Sequence, residues 1–133
     1  MIQAGILPGT EEVGMNMKTI LVVEDDAGIG SFLVQAIAQE TSHRAFLVTD
    51  SLEALKVIPE IEPGLLILDY QLPYMNGIEL YDRLQGLDHV KTIPAIMISA
   101  RLPLRDLKNR NIIGLRKPFE LEEFFNLIEK LLA

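Results

Sequence analysis

The chemistry this sequence can offer sits in a few side chains that each follow an apolar run. Glu24, Asp25 and Asp26 come directly after TILVV, Asp69 after LLIL and Ser99 after AIMI, while Lys117 stands before Pro118 close behind a further apolar stretch. Carboxylates crowded together repel one another and hold their protons more tightly. A hard divalent cation such as Mg²⁺ relieves that repulsion, because it prefers oxygen ligands and keeps part of its water shell. A carboxylate set between such an ion and the Lys117 ammonium is prepared to meet a dianionic phosphoryl donor. It can act as a nucleophile and form an acyl phosphate, with metal and ammonium stabilising charge on the transferring oxygens. Ser99 adds a hydroxyl able to donate to a phosphoryl oxygen. All of this requires residues far apart in the chain to meet at one place.

The elements between them supply that place. Thr19 to Val23 is β-rich and apolar throughout, as a strand buried on both faces must be. Ile29, Phe32, Leu33, Ala36 and Ile37 recur at helical spacing. Arg44 to Thr49 reads as a second strand, and Leu52, Leu55 and Ile58 line one side of a second helix that stops near Pro59 and Pro63. Leu65 to Leu68 is a third strand, Gly77 to Leu84 a third helix, and Ala95 to Ser99 a fourth strand. Leu104 to Asn109 reads as a short helix and Ile113 to Arg116 as a fifth strand; Leu121, Phe124, Phe125, Ile128 and Leu132 mark a final helix. This βα alternation, five times over, predicts a parallel sheet with helices on both faces and right-handed crossovers. Ligands in such sheets bind beyond the carboxyl ends of the strands, where the strand order switches. Glu24, Asp25, Asp69, Ser99 and Lys117 all fall on that rim.

The bulk properties narrow the function. A length of 133 residues favours one domain. Residues 1–16 mix Gly, Pro and Thr with Glu11 and Glu12 and show no period, so they read as a flexible N-terminal extension or expression leader before a domain over 17–133. The absence of cysteine excludes a disulfide or a thiolate site. A formal net charge of -7 argues against a nucleic-acid surface, which needs clustered Lys and Arg. No apolar run approaches the roughly 20 residues needed to span a bilayer, and no secretory signal is visible, so a cytoplasmic location is expected. There is no GxxxxGK[ST] phosphate loop.

The segments ILVVEDD, LLILDYQLPYMNG, IMISA and LRKPF resemble, in order, the successive signatures of the response-regulator receiver (CheY-like) family. The resemblance runs from about Lys18 to the C-terminus. It implies an α/β, flavodoxin-like (βα)5 doubly wound fold, a five-stranded parallel sheet of strand order 2-1-3-4-5. It also implies a two-component phosphorelay function in which Asp69 accepts the phosphoryl group. Glu24 and Asp25 then form the acidic pair, with Asp25 the more direct ligand of Mg²⁺ or Mn²⁺. Asp69 is a further ligand, and Gln71 offers its backbone carbonyl. Ser99 takes the place of the conformation-sensing Ser or Thr, Lys117 that of the invariant-type lysine, and Pro118 a cis-type position. Pro73 and Gly77 match the loop after the phosphoacceptor. The implied partners are a sensor histidine kinase or histidine phosphotransfer protein, and an output partner or a separate effector domain. A homodimer through the fourth helix, fifth strand and fifth helix is a further family option. No direct nucleic-acid or membrane binding is expected. Nor is a turnover enzyme: the chemistry is metal-assisted self-phosphorylation and slow autodephosphorylation.

The chain departs from the family in one region. The interval from Ser99 to Lys117 is short, and Gly114 stands three residues before Lys117, where many members carry Tyr or Phe. No ring is present there to swing inward, which leaves open a degenerate receiver that acts as a phosphorylation-independent interaction module. A phosphatase of the haloacid-dehalogenase type, which carries a second Asp two residues after its nucleophile, is disfavoured by Gln71. Plainer roles stand beside these. The acidic run could cap the next helix, and Asp26 in particular reads as a cap. His43 and His89 read as surface loop residues. Arg105, Lys108, Arg110 and Arg116 read as a solvated face, and Phe124 and Phe125 as core.

Overall fold

The computed structural model describes residues 17–87 and 93–133. The extension expected over residues 1–16, and His89, lie outside the described residues. The elements are β1 Thr19–Val23, α1 Ala27–Glu40, β2 Arg44–Val48, α2 Ser51–Ile61 and β3 Leu65–Asp69, then α3 Gly77–Gln85, β4 Ala95–Ser99, α4 Leu104–Leu107, β5 Ile112–Arg116 and α5 Leu121–Leu132. Among the described residues the strands form one sheet in the order β2-β1-β3-β4-β5, and every pairing is parallel. This is the doubly wound fold and strand order expected above. The register matters for function. Val23 pairs with Leu68, Asp69 with Ile98 and Ser99 with Arg116, so the carboxyl ends of β1, β3, β4 and β5 finish nearly level.

The strands alternate their side chains between two apolar layers. Leu21, Val23, Leu66, Leu68 and Met97 face α2 and α3, meeting Ala54, Ile58, Leu80 and Leu84. Ile20, Val22, Leu65, Ile67, Ile96 and Ile98 face α1 and α5, meeting Leu33, Ile37, Phe124 and Ile128. The central strands β3 and β4 are buried along their whole length. The helices after β1 and β2, and the one following the loop after β3, start on side-chain caps. Asp26 accepts from the Ile29 N–H at 3.0 Å and Asp50 from the Glu53 N–H at 2.8 Å. Asn76 and Glu79 exchange backbone bonds at 2.9 Å in a capping box.

The second helix stops between Pro59 and Pro63, as expected: α2 runs through Pro59 to Ile61. Proline forfeits one backbone bond there, but its fixed φ is compatible with a helix, and buried Ile58 with half-buried Ile61 holds the last turn on the core. The helix ends at Glu62, which is left-handed at φ 50°. The buried face of α1 is Gly30, Leu33, Ala36 and Ile37, while Ile29 and Phe32 are 43% and 54% exposed. Phe32 is rotated about 100° from Leu33, and Ile29 sits in the first turn, beside the strand-end rim. Leu52 is likewise exposed, and Phe125 is only half-buried. His43 is buried rather than superficial. Its Nδ1 accepts the Lys18 N–H at 3.0 Å, which ties the entry of β2 to the entry of β1.

Candidate functional site

The level strand ends bring the expected residues together. Glu24 follows β1, Asp69 closes β3, Ser99 closes β4 and Lys117 follows β5. Carboxylate oxygens of Glu24, Asp25 and Asp69 lie within 4.8 Å of one another. Lys117 Nζ stands 3.8 Å from Glu24 and 3.9 Å from Asp69. Asp25, Asp69, Gln71, Ser99 and Lys117 line one open cavity of about 380 Å³, together with Ala100 and Arg101. Glu24 lies behind it, 3% exposed, with Asp69 at 9% and Ser99 at 5%. Asp26 is outside the cluster and serves as the α1 cap.

Burial first, and then the negative charge and hydrogen bonding of Asp69, push the Glu24 carboxyl up to about 7. The Asp26 N–H, which donates to Glu24 at 3.1 Å, and the Lys117 ammonium pull the other way without prevailing. Asp69 accepts the Gln71 N–H at 3.2 Å. Lys117 stands beyond hydrogen-bond distance of both carboxylates, so it acts on them through its field rather than by direct bonding. Three carboxylates therefore face one ammonium, and a buried one among them holds its proton unusually tightly. An all-oxygen donor set with uncompensated charge fits a hard divalent cation.

The loop after β3 is shaped by Gly77. A Cβ there would come within 2.6 Å of the Asp69 carbonyl oxygen and 2.7 Å of Met97 Cε. The Gly77 N–H donates to the Tyr70 carbonyl at 2.8 Å, which holds the start of α3 against the end of β3. The Lys117–Pro118 peptide bond is cis, the isomer the resemblance implied. The Ser99 hydroxyl donates to the Arg101 carbonyl at 2.8 Å and accepts the Arg101 N–H at 3.1 Å.

Some participants were not found by reading the sequence. Arg101 lines the cavity, although nothing in its neighbourhood marks it. Buried Ser51 donates to the Met75 carbonyl at 2.8 Å, bracing the loop after Asp69 from α2. Arg110, on the face read as solvated, pairs at the surface with Asp82 of α3, Nε to Oδ1 at 2.8 Å and Nη2 to Oδ2 at 2.6 Å. Only the register of distant elements reveals these pairs.

The structure is thus a doubly wound α/β domain with an acidic, lysine-flanked site at the carboxyl ends of its strands. The chain belongs to the response regulator receiver domain family, which matches residues 20–129. Among curated relatives, sporulation initiation phosphotransferase F of Bacillus subtilis is 30% identical over 89% of this chain and 95% of its own. The transcriptional regulatory protein CrdR of Helicobacter pylori is 33% identical over 80% of this chain but only 51% of its own length. Among solved structures, the receiver domain of the Francisella response regulator 1452 superposes with a TM-score of 0.77 at 25% identity, over 86% of this chain and 96% of its own. The chain is thus a receiver domain of the two-component signalling class, with a phosphoryl-accepting role. The degenerate alternative is the less favoured reading. Among the described residues, no helix is long and apolar enough to cross a membrane.

Proposed function

We propose that Asp69 is the phosphoacceptor and that the donor is a phosphohistidine on a sensor histidine kinase or histidine phosphotransfer protein. One observation carries this reading: nearly buried Asp69 stands at the strand-end rim between two carboxylates and the Lys117 ammonium. An Asp69 oxygen attacks phosphorus, the phosphorus–nitrogen bond breaks, and the imidazole leaves with a proton. Lys117 meets the developing charge on the phosphoryl oxygens, and Ser99 offers its hydroxyl. Asp25, Asp69 and the Gln71 carbonyl would hold Mg²⁺ or Mn²⁺, with Glu24 supporting from behind. When bound, the ion supplies charge neutralisation at the transferring oxygens.

The domain does not turn over a separate substrate; water later hydrolyses its own acyl phosphate. Residues 17–133 form this domain and residues 1–16 an extension to it. A cytoplasmic location, where kinases and output partners meet receiver domains, agrees with the cysteine-free sequence. The output is a partner protein or an effector domain, as the longer regulators among the relatives suggest.

Intact-protein mass spectrometry with a small-molecule phosphodonor tests the reading. A gain of one phosphoryl group is expected with Mg²⁺, with none in chelator and none in Asp69→Asn. Labelling retained by a folded Asp69→Asn variant would move the acceptor elsewhere.

A further inference from the structure

Tyr74 keeps a backbone that few tyrosines adopt. Its φ is 75°, in the left-handed region where Cβ crowds a carbonyl oxygen and which glycine and asparagine favour. The Met75 N–H donates to the Pro73 carbonyl at 2.9 Å, closing a three-residue turn about Tyr74. With a positive φ at its centre, such a turn is the rare, strained form. The surroundings hold it there. Buried Ser51 of α2 donates to the Met75 carbonyl at 2.8 Å. Asn76 and Glu79 exchange their bonds at 2.9 Å, and the Gly77 N–H donates to the Tyr70 carbonyl at 2.8 Å. Pro73 fixes its own φ. The strain therefore sits in a stiff loop. Glycine or asparagine would make the same turn at lower cost. What tyrosine adds is a ring, and the ring does not serve the core. Tyr74 is 75% exposed, the most exposed large hydrophobic residue among those described.

Strain kept at a bulky, solvent-facing residue implies a use outside the fold, and its position says which. The loop begins at Asp69 and Gln71, which line the acidic cavity. Asp69 is 9% exposed, so a protein that brings a phosphohistidine to it must come down on the strand-end rim and meet this loop. The rest of the rim also suits a protein. Ile29, Leu52 and Leu121, in the first turns of α1, α2 and α5, are exposed, an apolar collar around a charged cavity. We infer that Tyr74 is a specificity-determining anchor: its ring, presented on the strained turn, fills an apolar recess of the protein phosphodonor and fixes the phosphohistidine over Asp69. Tyrosine supplies a large contact area with few rotatable bonds, and from a stiff loop it loses little freedom on binding. Aromatic residues so placed carry a large share of interface energy. The inference rests on the reading of Asp69 given above and adds how the donor is selected. A small phosphodonor enters a cavity that Tyr74 does not line; a protein donor has to pass Tyr74.

Two kinds of donor tell the roles apart. Phosphoramidate with Mg²⁺ probes the cavity alone, read by intact mass. The protein donors are the autophosphorylated histidine kinases and the phosphotransfer proteins encoded in the same genome, and the one that labels wild type fastest is carried forward. Tyr74→Gly and Tyr74→Asn keep the turn and drop the ring, and each stands in should the other fail to fold. Both should keep or raise the urea midpoint and take label from phosphoramidate at the wild-type rate. From the protein donor they should take it about tenfold more slowly or worse. Tyr74→Phe should match wild type with both donors. Unchanged protein transfer in Tyr74→Gly, or slow transfer in Tyr74→Phe, overturns the anchor and leaves Asp69 as the acceptor. A lower midpoint in Tyr74→Gly and Tyr74→Asn, with both donors slowed alike, makes the ring part of the fold and overturns the anchor too. A wild type labelled by phosphoramidate and by none of the proteins removes the protein donor from the proposal. No label from either kind of donor overturns the acceptor reading, and the anchor with it.

Discussion

Glu24 and Asp25 are adjacent in sequence and opposite in environment. Glu24 is 3% exposed and its carboxyl is pushed up to about 7, first by burial and then by Asp69; Asp25 is open to solvent and lines the cavity. Burial therefore gives Glu24 a pH dependence that can be read without any phosphodonor. Its folded value lies above the ordinary value of 4.5, so the folded state binds more protons than the unfolded one between these limits. Glu24 then contributes stability that is fully present below about pH 4.5 and is lost as pH rises through about 7. Glu24→Gln removes that loss. In chelator, the stability of Glu24→Gln relative to wild type should rise between pH 5 and pH 8, by on the order of 2 kcal/mol. Urea titrations at the two pH values measure it, and a constant difference would mean that Glu24 ionises as freely in the fold as outside it. The sequence told which acids meet, because each ends an apolar run. It could not tell which acid would be buried, since one residue of chain separates the two environments.

At the scale of elements, the strands were easier to read than the helices. A strand buried on both faces announces itself as a continuous apolar run, so β1, β3 and β4 were visible with their ends and hence with the site. Helix faces are shared between core, rim and solvent. Ile29 and Phe32 keep helical spacing yet stay exposed, and α2 passes Pro59 because Ile58 is packed beneath it. Gly114 stands out in the sequence as a missing ring, but Leu102 and Leu107, which fill its space, belong to a connection without a strong period. Gly77 shows how closely two elements can be pressed together at a working site. An alanine methyl there would lie 2.6 Å from the Asp69 carbonyl oxygen, and strand backbone at the centre of a sheet yields little. Gly77→Ala should therefore cost about 2 kcal/mol, the scale of overpacking a closed interior, and should slow labelling of Asp69 by displacing it. Gly86→Ala is the control. Its added methyl meets nothing nearer than the Arg83 carbonyl at 3.5 Å, so it should be neutral or mildly stabilising. Equal losses in the two variants, by urea midpoint, would remove the tight contact as the cause.

For the molecule as a whole, charge and stability meet at one end of the sheet. The chain carries a net charge of -7, and it gathers three carboxylates where β1 and β3 end. Any cation that binds there in the folded state and not in the unfolded chain must stabilise the fold by mass action, by about 2.7 kcal/mol at a hundred times its Kd. Mg²⁺ should thus raise the unfolding midpoint without phosphodonor. Generic screening of an acidic protein would also raise it, so ionic strength has to be held constant with NaCl. Under that constraint the remaining Mg²⁺ effect belongs to the site. Asp25→Asn separates the two contributions further. Asp25 is solvent-open, so its replacement should disturb the metal-free fold little, whereas loss of a cavity carboxylate should weaken Mg²⁺ binding by about tenfold or more. The Mg²⁺-dependent shift should also grow from pH 5 to pH 8, because Glu24, as it ionises, adds negative charge directly behind the cavity. A shift that NaCl reproduces in full, or that Asp25→Asn retains unchanged, would place the cation elsewhere on the acidic surface and leave Asp25 no part in holding it.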